Sequence, residues 1–270
     1  MELAAVQRGN RACIAIKSIA IAVLIVGLGL PFIARAASRP ARCDAPFNML
    51  RLAHPLLRVA HKLTANEPIT IIAIGSSSTA GAGATSPAAT YPSRLAVELE
   101  QHFPNHKIRV INRGVNGEEV DDMLKRFDSA IIAAKPDLVL WQLGTNSIIR
   151  DQLLSDRDTS MRDGLKKIHA IGADVILIDP QFAPKVIAKP GAESVVELIA
   201  ATAKKQDVDL FRRFDVMKRW VNVDHMSFDK FVSVDGLHMN DWGYACMAKG
   251  LGMAIAEAVE RPAVTAIRAP

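Results

Sequence analysis

The sequence predicts an α/β fold in which helices cover both faces of a parallel, five-stranded sheet. Five short apolar segments alternate with longer segments of helical periodicity, as is typical of βαβ units. The first of them, 70–74, is rich in β-branched residues and free of charge, as a strand buried on both faces requires. Half of the 270 residues are hydrophobic and 23% are charged, so the chain can bury a core.

The elements follow from these patterns in chain order. Strands are predicted at 69–75, 107–112, 137–143, 173–178 and 208–211, and helices at 47–63, 92–103, 118–134, 160–171, 193–205 and 241–259. In helix 92–103, the side chains of Leu95, Val97 and Leu99 are expected to supply apolar surface. Acidic residues, among them Glu118 and Glu119, open helix 118–134 and suit the positive end of its dipole.

The chain is divided into a signal peptide or anchor (1–36), a linker with an N-terminal helix (37–66), the main domain (67–262) and a C-terminal tail (263–270). Arg8, Arg11 and Lys17 lie before or at the start of the uncharged apolar stretch 18–34, which ends in a small-x-small cleavage pattern at 34–36. The alternative is an uncleaved anchor, because the stretch is just short of transmembrane length. We expect an exported protein, periplasmic or secreted, that stays membrane-anchored if cleavage does not occur.

The distribution of charge bears on the partners of the protein. The net charge is +5 and the pI is near 9.2, but residues 1–36 hold four basic residues against one acidic residue, or +3 of the total. Residues 37–270 carry the remaining +2, and they contain no run of Lys and Arg interleaved with aromatic residues. A nucleic-acid partner is therefore not expected.

Two cysteines, Cys43 and Cys246, follow the apolar N-terminal stretch. Export to an oxidising compartment would permit a disulfide between them, which would tie the N-terminal segment to the last helix. Two unpaired thiols are the alternative. Neither cysteine lies in a motif that supplies a catalytic base.

Polar and glycine-rich loops follow three of the predicted strands. They are Ser76–Ser78, Gly114–Gly117 and Gly144–Ser147. Right-handed crossovers place the strand-to-helix loops of a parallel sheet at one edge, where open α/β folds bind ligands. We expect the three loops to converge there, together with the loops 179–191 and 222–234, whose apolar side chains either form a substrate wall or pack onto the body.

An Asp235-Gly236-Leu237-His238 turn precedes the final helix. Asp235 can accept a hydrogen bond from Nδ1–H of His238, which leaves Nε2 free to take a proton from a serine of the first loop. Asn240 or Asp241 is expected to cap the helix and hold this turn. Backbone N–H groups of the Gly114–Gly117 turn and the amide of Asn146 are candidate donors to a developing oxyanion.

Taken together, these motifs resemble those of the SGNH hydrolases, the superfamily that includes the GDSL esterases and lipases. Four blocks occur in order, at 75–81, 112–118, 144–146 and 235–238, and the resemblance spans 69–260. The resemblance implies a flavodoxin-like three-layer sandwich, Ser77 as nucleophile, His238 as base and Asp235 as its orienting acid. It also implies an oxyanion hole from Ser77, Gly117 and Asn146, and neither a metal nor an organic cofactor.

Two positions depart from the family pattern. Ser76 stands where an Asp usually precedes the nucleophile, and Ser147 where an Asp often follows the Asn of the third block. The first departure leaves Ser76 and Ser78 as other candidates for the nucleophile, although the flanking residues align best with Ser77. The second is expected to weaken an anchoring hydrogen bond.

The function expected from these residues and from the resemblance is that of an exported serine esterase. The substrate class expected first is a small acyl ester, such as acetyl, on a carbohydrate or envelope polymer, either a small molecule or a polysaccharide. The alternatives are lysophospholipase, arylesterase or thioesterase activity at the same site, or a non-catalytic carbohydrate-binding protein of the same fold.

Overall fold

The computed structural model describes residues 43, 45–152 and 158–261. The chain divides into residues 1–41 and 42–270, and all described residues lie in the second unit. The N-terminal segment 1–36 and the tail 263–270 lie outside the described residues. No described helix is both long and apolar enough to cross a membrane.

Five parallel strands form one sheet in the order β2-β1-β3-β4-β5. The strands are β1 (Ile69–Gly75), β2 (Ile108–Gly114), β3 (Leu138–Gln142), β4 (Asp174–Ile178) and β5 (Asp209–Phe211). This is the flavodoxin-like order, which reverses direction between β1 and β3. The predicted fold class is confirmed.

The helices occupy the connections between the strands and the described segments before β1 and after β5. They are α1 (Phe47–Leu50), α2 (Leu57–Thr64), α3 (Ser77–Ala80), α4 (Tyr91–His102), α5 (Val120–Lys125), α6 (Phe127–Ala130), α7 (Thr145–Ile149), α8 (Asp158–Ala170), α9 (Pro184–Ile187), α10 (Ala192–Lys205), α11 (Arg213–Asn222) and α12 (Asp241–Glu260). Helices α4 and α12 pack on each other, and α5 packs on α8. Right-handed crossovers from a sheet of this order place α4 on the opposite face from α5 and α8.

The core lies on both faces of the central strands. Every residue of β3 is buried, and so are residues 71–75 of β1, whereas the edge strand β2 has no fully buried residue. The large side chain of Trp141 packs against Phe127, with ring centroids 5.1 Å apart. Leu95 and Leu99 of α4 are buried as predicted, but Val97 is 53% exposed, so the prediction was wrong for Val97.

Two predicted helices are shorter in the structure. The predicted helix 47–63 is divided into α1 and α2 by an extended segment that contains Pro55, whose ring is incompatible with a helix interior. The predicted helix 118–134 is divided into α5, α6 and a 3₁₀ turn, Ile132–Ala134. At the first break, the Arg126 side chain turns back to bind Glu118 and the carbonyl of Arg113. Helix α11 was not predicted.

Three aspartates at the starts of β3, β4 and β5 hold residues 54–59 against the sheet. Asp174 accepts from the N–H groups of Arg58 and Val59 at the start of α2, at 3.3 and 3.0 Å. Asp137 accepts from the Arg58 side chain and Asp209 from the N–H of His54. The Asp174 contacts satisfy backbone donors that the start of α2 would otherwise leave without partners. A disulfide joins Cys43 to Cys246 of α12, with 5.1 Å between their Cα atoms.

Candidate active site

Three consecutive serines follow β1, and the structure gives each a different partner. The N–H and the hydroxyl of Ser76 both donate to Oε1 of Gln142, at 3.0 and 3.1 Å. The hydroxyl of Ser78 donates to Oε1 of Gln181 at 3.3 Å. Both serines are buried, whereas Ser77 is half-buried and its Oγ lies 2.8 Å from Nε2 of His238. Only the middle serine therefore meets the candidate base.

The Asp235–His238 turn orients the imidazole. One carboxylate oxygen of Asp235 lies 2.5 Å from Nδ1 of His238. The other accepts from the Ser233 hydroxyl at 2.7 Å and from the N–H groups of Leu237 and His238 at 2.9 Å. Asn240 caps α12, its side chain accepting from the N–H of Gly243 at 3.0 Å, which holds the far end of this turn.

The charge state of Asp235 decides which nitrogen of His238 carries a proton. Partial burial alone would raise the pKa of Asp235, but the hydrogen bonds from Ser233, His238 and Leu237 outweigh it and hold that pKa well below its usual value. An ionised carboxylate only accepts hydrogen bonds, so Nδ1 of His238 carries the proton that it donates. Nε2 is then free to accept from the hydroxyl of Ser77.

The loop after β2 lies directly against the nucleophile turn. Gly114 pairs with Gly75, and the N–H of Val115 donates to the carbonyl of Gly75 at 3.0 Å. A Cβ on Gly114 would lie 2.1 Å from the backbone nitrogen of Ala80, so only glycine allows this approach. The amide of Asn112 donates to the carbonyl of Thr79 at 2.7 Å. The predicted convergence of these two loops is confirmed.

Asn146, at the start of α7, brings the third loop to the same place. Its Nδ2 donates to the carbonyl of Glu118 at 2.8 Å. Because an amide NH₂ carries two hydrogens, one anchors the 114–118 turn and the second remains for a ligand. Residues that follow β1, β2 and β3 line one small cavity of about 10 Å³, among them Ser76, Glu118 and Asn146. The site thus lies where the strand order reverses, between β1 and β3.

The side chain of Arg150 holds the backbone of the Gly117 turn. Gly117 has a φ of +78°, which favours glycine, and its carbonyl accepts from Arg150 at 2.8 Å. The second terminal nitrogen of Arg150 lies 2.6 Å from the buried carboxylate of Glu119. Ser147, which replaces the expected Asp, donates to Glu119 at a longer 3.5 Å. The anchor in this chain is therefore the Arg150–Glu119 pair.

Sequence reasoning missed four supporting residues: Gln142, Gln181, Arg150 and Glu119 in its role as an ion-pair partner. A sequence signal exists for the first, because a glutamine ends the apolar run Leu138–Gln142 and a polar group at the end of a buried strand needs partners. The other three depend on contacts between loops. Among residues 43, 45–152 and 158–261, no group of three or more His, Cys, Asp or Glu side chains could hold a metal ion.

An open groove of about 440 Å³ lies beside the Asp235 turn. Pro184 of the loop after β4 and Phe228 of the loop 222–234 line it, together with Val234, which is fully exposed. Phe231 of the same loop is instead fully buried and packs on Trp220. Phe228 borders the groove and also stacks on Phe182, with ring centroids 5.9 Å apart, so both phenylalanines pack their loop onto the body. A substrate wall at this loop stays a prediction.

Comparisons with known proteins agree with this fold. Residues 42–261 match the family described as the Non-GDSL lipase-like family. An acetylxylan esterase of Geobacillus stearothermophilus is 38% identical over 52 residues, which are 19% of this chain and 24% of that enzyme. This chain thus aligns with about a quarter of the length of that relative.

Similar solved structures share the architecture at low identity. A variant of an acetylxylan esterase from G. stearothermophilus superposes with a TM-score of 0.60 and 19% identity, covering 69% of this chain and 94% of that one. A two-domain esterase active on acetylated mannans superposes with a TM-score of 0.68 and 18% identity, covering 84% of this chain and 60% of that one. A structure of TesA superposes with a TM-score of 0.58 and 20% identity, covering 70% of this chain and 99% of that one.

The fold and the matched family define a protein of the SGNH hydrolase class, which confirms the predicted superfamily. Within that class, the chain belongs to the Non-GDSL lipase-like family.

Proposed function

We propose that this protein is an exported serine esterase that hydrolyses acetyl esters on a carbohydrate. The observation that carries the proposal is the hydrogen-bonded line from Ser77 through His238 to Asp235, with 2.8 Å between Ser77 Oγ and His238 Nε2. This is the arrangement in which a neutral imidazole can activate a serine for attack on a carbonyl.

In the first step, Oγ of Ser77 attacks the ester carbonyl while Nε2 of His238 takes its proton. The imidazolium that forms is stabilised by the ionised carboxylate of Asp235. The developing oxyanion is bound by the N–H groups of Ser77 and Gly117 and by the second amide hydrogen of Asn146. His238 then gives its proton to the leaving sugar oxygen, and the acyl group stays on Ser77.

In the second step, water is activated by His238 and attacks the acyl-enzyme, which releases acetate and restores the Ser77 hydroxyl. All proton transfers pass through Nε2, so the imidazole must keep its orientation throughout the cycle. The hydrogen bond from Nδ1 to Asp235 and the N–H donors that fix that carboxylate hold it there.

The substrate class is supported by the relatives. The curated relative is an acetylxylan esterase, and one structural neighbour is active on acetylated mannans. The open groove beside the Asp235 turn suits an extended polymer better than a closed pocket would. The Cys43–Cys246 disulfide supports an oxidising compartment, and residues 1–36 are proposed as the export signal, or as an anchor if uncleaved.

The test is hydrolysis by the protein without residues 1–36. p-Nitrophenyl esters from acetate to decanoate measure the acyl preference, and acetate release from acetylated xylan and mannan measures the polymer activity. We expect turnover to be fastest with acetate. Fastest turnover of the longest chains would instead favour the lipid or thioester substrates.

Variants of the three serines serve as matched controls. Ser77→Ala should abolish both turnover and labelling by a fluorophosphonate, whereas Ser76→Ala and Ser78→Ala should still be labelled on Ser77. A folded wild-type protein that is neither active nor labelled would argue for a non-catalytic carbohydrate-binding protein.

A further inference from the structure

Gln181 is a buried polar residue that the mechanism above does not use. It lies in the loop that follows β4, three residues after Ile178, and is 0% exposed. A buried amide needs partners for both its oxygen and its nitrogen, since each unpaired group costs stability. The partners of Gln181 are therefore informative.

Its three hydrogen bonds reach three different loops. Oε1 accepts from the hydroxyl of Ser78 at 3.3 Å and from that of Thr145 at 3.0 Å. Nε2 donates to the carbonyl of Leu237 at 3.1 Å. Each partner is the immediate sequence neighbour of a residue in the proposed mechanism: Ser77, Asn146 and His238, respectively.

The chemistry of these contacts requires an amide. A carbonyl can only accept, so the NH₂ group must face Leu237, and the oxygen must then face the two hydroxyls. An ionised glutamate would set a carboxylate oxygen against the Leu237 carbonyl. An apolar side chain would leave all three groups without these bonds.

We propose that Gln181 is a positioning residue that sets the nucleophile, the oxyanion donor and the base at their working separations. This positioning role rests on the proposed function. Because Gln181 is fully buried, it acts through its three partners and touches no substrate. A displacement of about 1 Å between reacting groups can cost about 100-fold in rate, so the loss of a shared anchor is expected to affect turnover more than substrate binding.

The first experiment compares Gln181→Met with Thr202→Val. Methionine has nearly the length and shape of glutamine but cannot make the three bonds. Thr202 is also buried and makes a hydrogen bond, to Asp158, but lies in α10 outside the site, so its variant controls for the loss of a buried polar contact. With p-nitrophenyl acetate, Gln181→Met should lower kcat by about 10- to 100-fold and leave KM within about threefold. Thr202→Val should change neither.

A double-mutant cycle tests whether Gln181 acts through its partners. Thr145→Val removes the hydrogen bond between the Thr145 hydroxyl and Oε1 of Gln181 by changing the partner instead of Gln181. This variant can still be measured if Gln181→Met does not fold. Its loss in kcat should be smaller, and combining it with Gln181→Met should cost no more than Gln181→Met alone. The proposal would be overturned if the losses in kcat of the two single variants multiply in the double variant. A folded Gln181→Met protein with kcat within twofold of wild type would also overturn it.

A readout independent of turnover separates this proposal from the proposed function. The proton on Nδ1 of His238, in its short bond to Asp235, should give a low-field NMR resonance that shifts or broadens in Gln181→Met but not in Thr202→Val. If the wild type hydrolyses no ester and the resonance still responds, the esterase proposal fails and the positioning role stands. An unchanged resonance in the folded variant refutes the positioning role.

Discussion

Replacing Asp235 with asparagine is expected to reverse the hydrogen bonding of His238 without unfolding the site. Oδ1 of Asp235 accepts from three donors, the Ser233 hydroxyl and the N–H groups of Leu237 and His238. The asparagine oxygen should keep that place, since an NH₂ group would oppose two backbone N–H donors. The new NH₂ group then faces Nδ1 of His238, which must become an acceptor.

The proton of the neutral imidazole moves to Nε2 in that case. Nε2–H points at the hydroxyl of Ser77 and cannot accept its proton, so the nucleophile loses its base. The same change in the serine-protease triad lowers kcat by about 10⁴-fold, and we expect a loss of about 10³- to 10⁴-fold here. At about 1.4 kcal/mol for each factor of ten, this corresponds to roughly 4–5.5 kcal/mol in the activation barrier.

The assay is kcat for p-nitrophenyl acetate together with the rate of fluorophosphonate labelling. Both should fall in parallel, because both require the deprotonation of Ser77, and the thermal midpoint should change little. Asp163→Asn is the matched control, since this exposed aspartate pairs with Lys166 on α8 and should leave both rates unchanged. A folded Asp235→Asn variant with kcat within tenfold of wild type would refute the reasoning.

Three further predictions concern the oxyanion donor, the disulfide and the response to pH. Asn146→Ala should lower kcat by about 10²- to 10³-fold with KM little changed, since it removes the proposed amide donor to the oxyanion. A rise in KM of the same size would instead indicate a role in ground-state binding. Removing the Cys43–Cys246 disulfide by double alanine substitution should lower the free energy of unfolding by about 2–5 kcal/mol in urea, because the bridge spans 203 residues. Dithiothreitol should then destabilise the wild type but not the variant. Burial raises the pKa of Asp174 to about 6 and that of Asp179 to about 7. The folded protein therefore holds protons that the unfolded chain releases above about pH 4, and stability should fall as pH rises from about 4 to 7. Asp174 alone accounts for up to roughly 3 kcal/mol of that fall. The check is urea unfolding at several pH values, and an Asp174→Asn variant whose free energy of unfolding falls with pH as steeply as that of wild type would contradict this assignment.

The strands were predictable because each is a short apolar run with a clear end. The predicted bounds of β1 agree with the structure, and those of the other strands differ by at most two residues at either end. Helices were less predictable where a contact from elsewhere ends them. No glycine or proline marks the break between α5 and α6, at which Arg126 binds Glu118 and the carbonyl of Arg113.

The disulfide illustrates the same limit. Two cysteines in an exported chain permit a bridge, but nothing in their local sequence distinguishes a bridge from two thiols. Their pairing depends on how α12 lies relative to the segment before α1, and the structure brings their Cα atoms to 5.1 Å. That is a separation at which a disulfide can form.

The sequence by itself determined the fold class and the edge of the sheet at which polar loops meet, because both follow from alternating strands and right-handed crossovers. It also placed Asp235 beside His238, since three residues across a glycine form a local turn. Only the tertiary structure decided which of three adjacent hydroxyls meets the imidazole. Ser76 and Ser78 are bound by Gln142 and Gln181, which lie 66 and 103 residues away, and Ser77 is the one left to face His238. The family resemblance favoured Ser77, but local sequence alone cannot rank identical side chains whose partners come from other strands and loops.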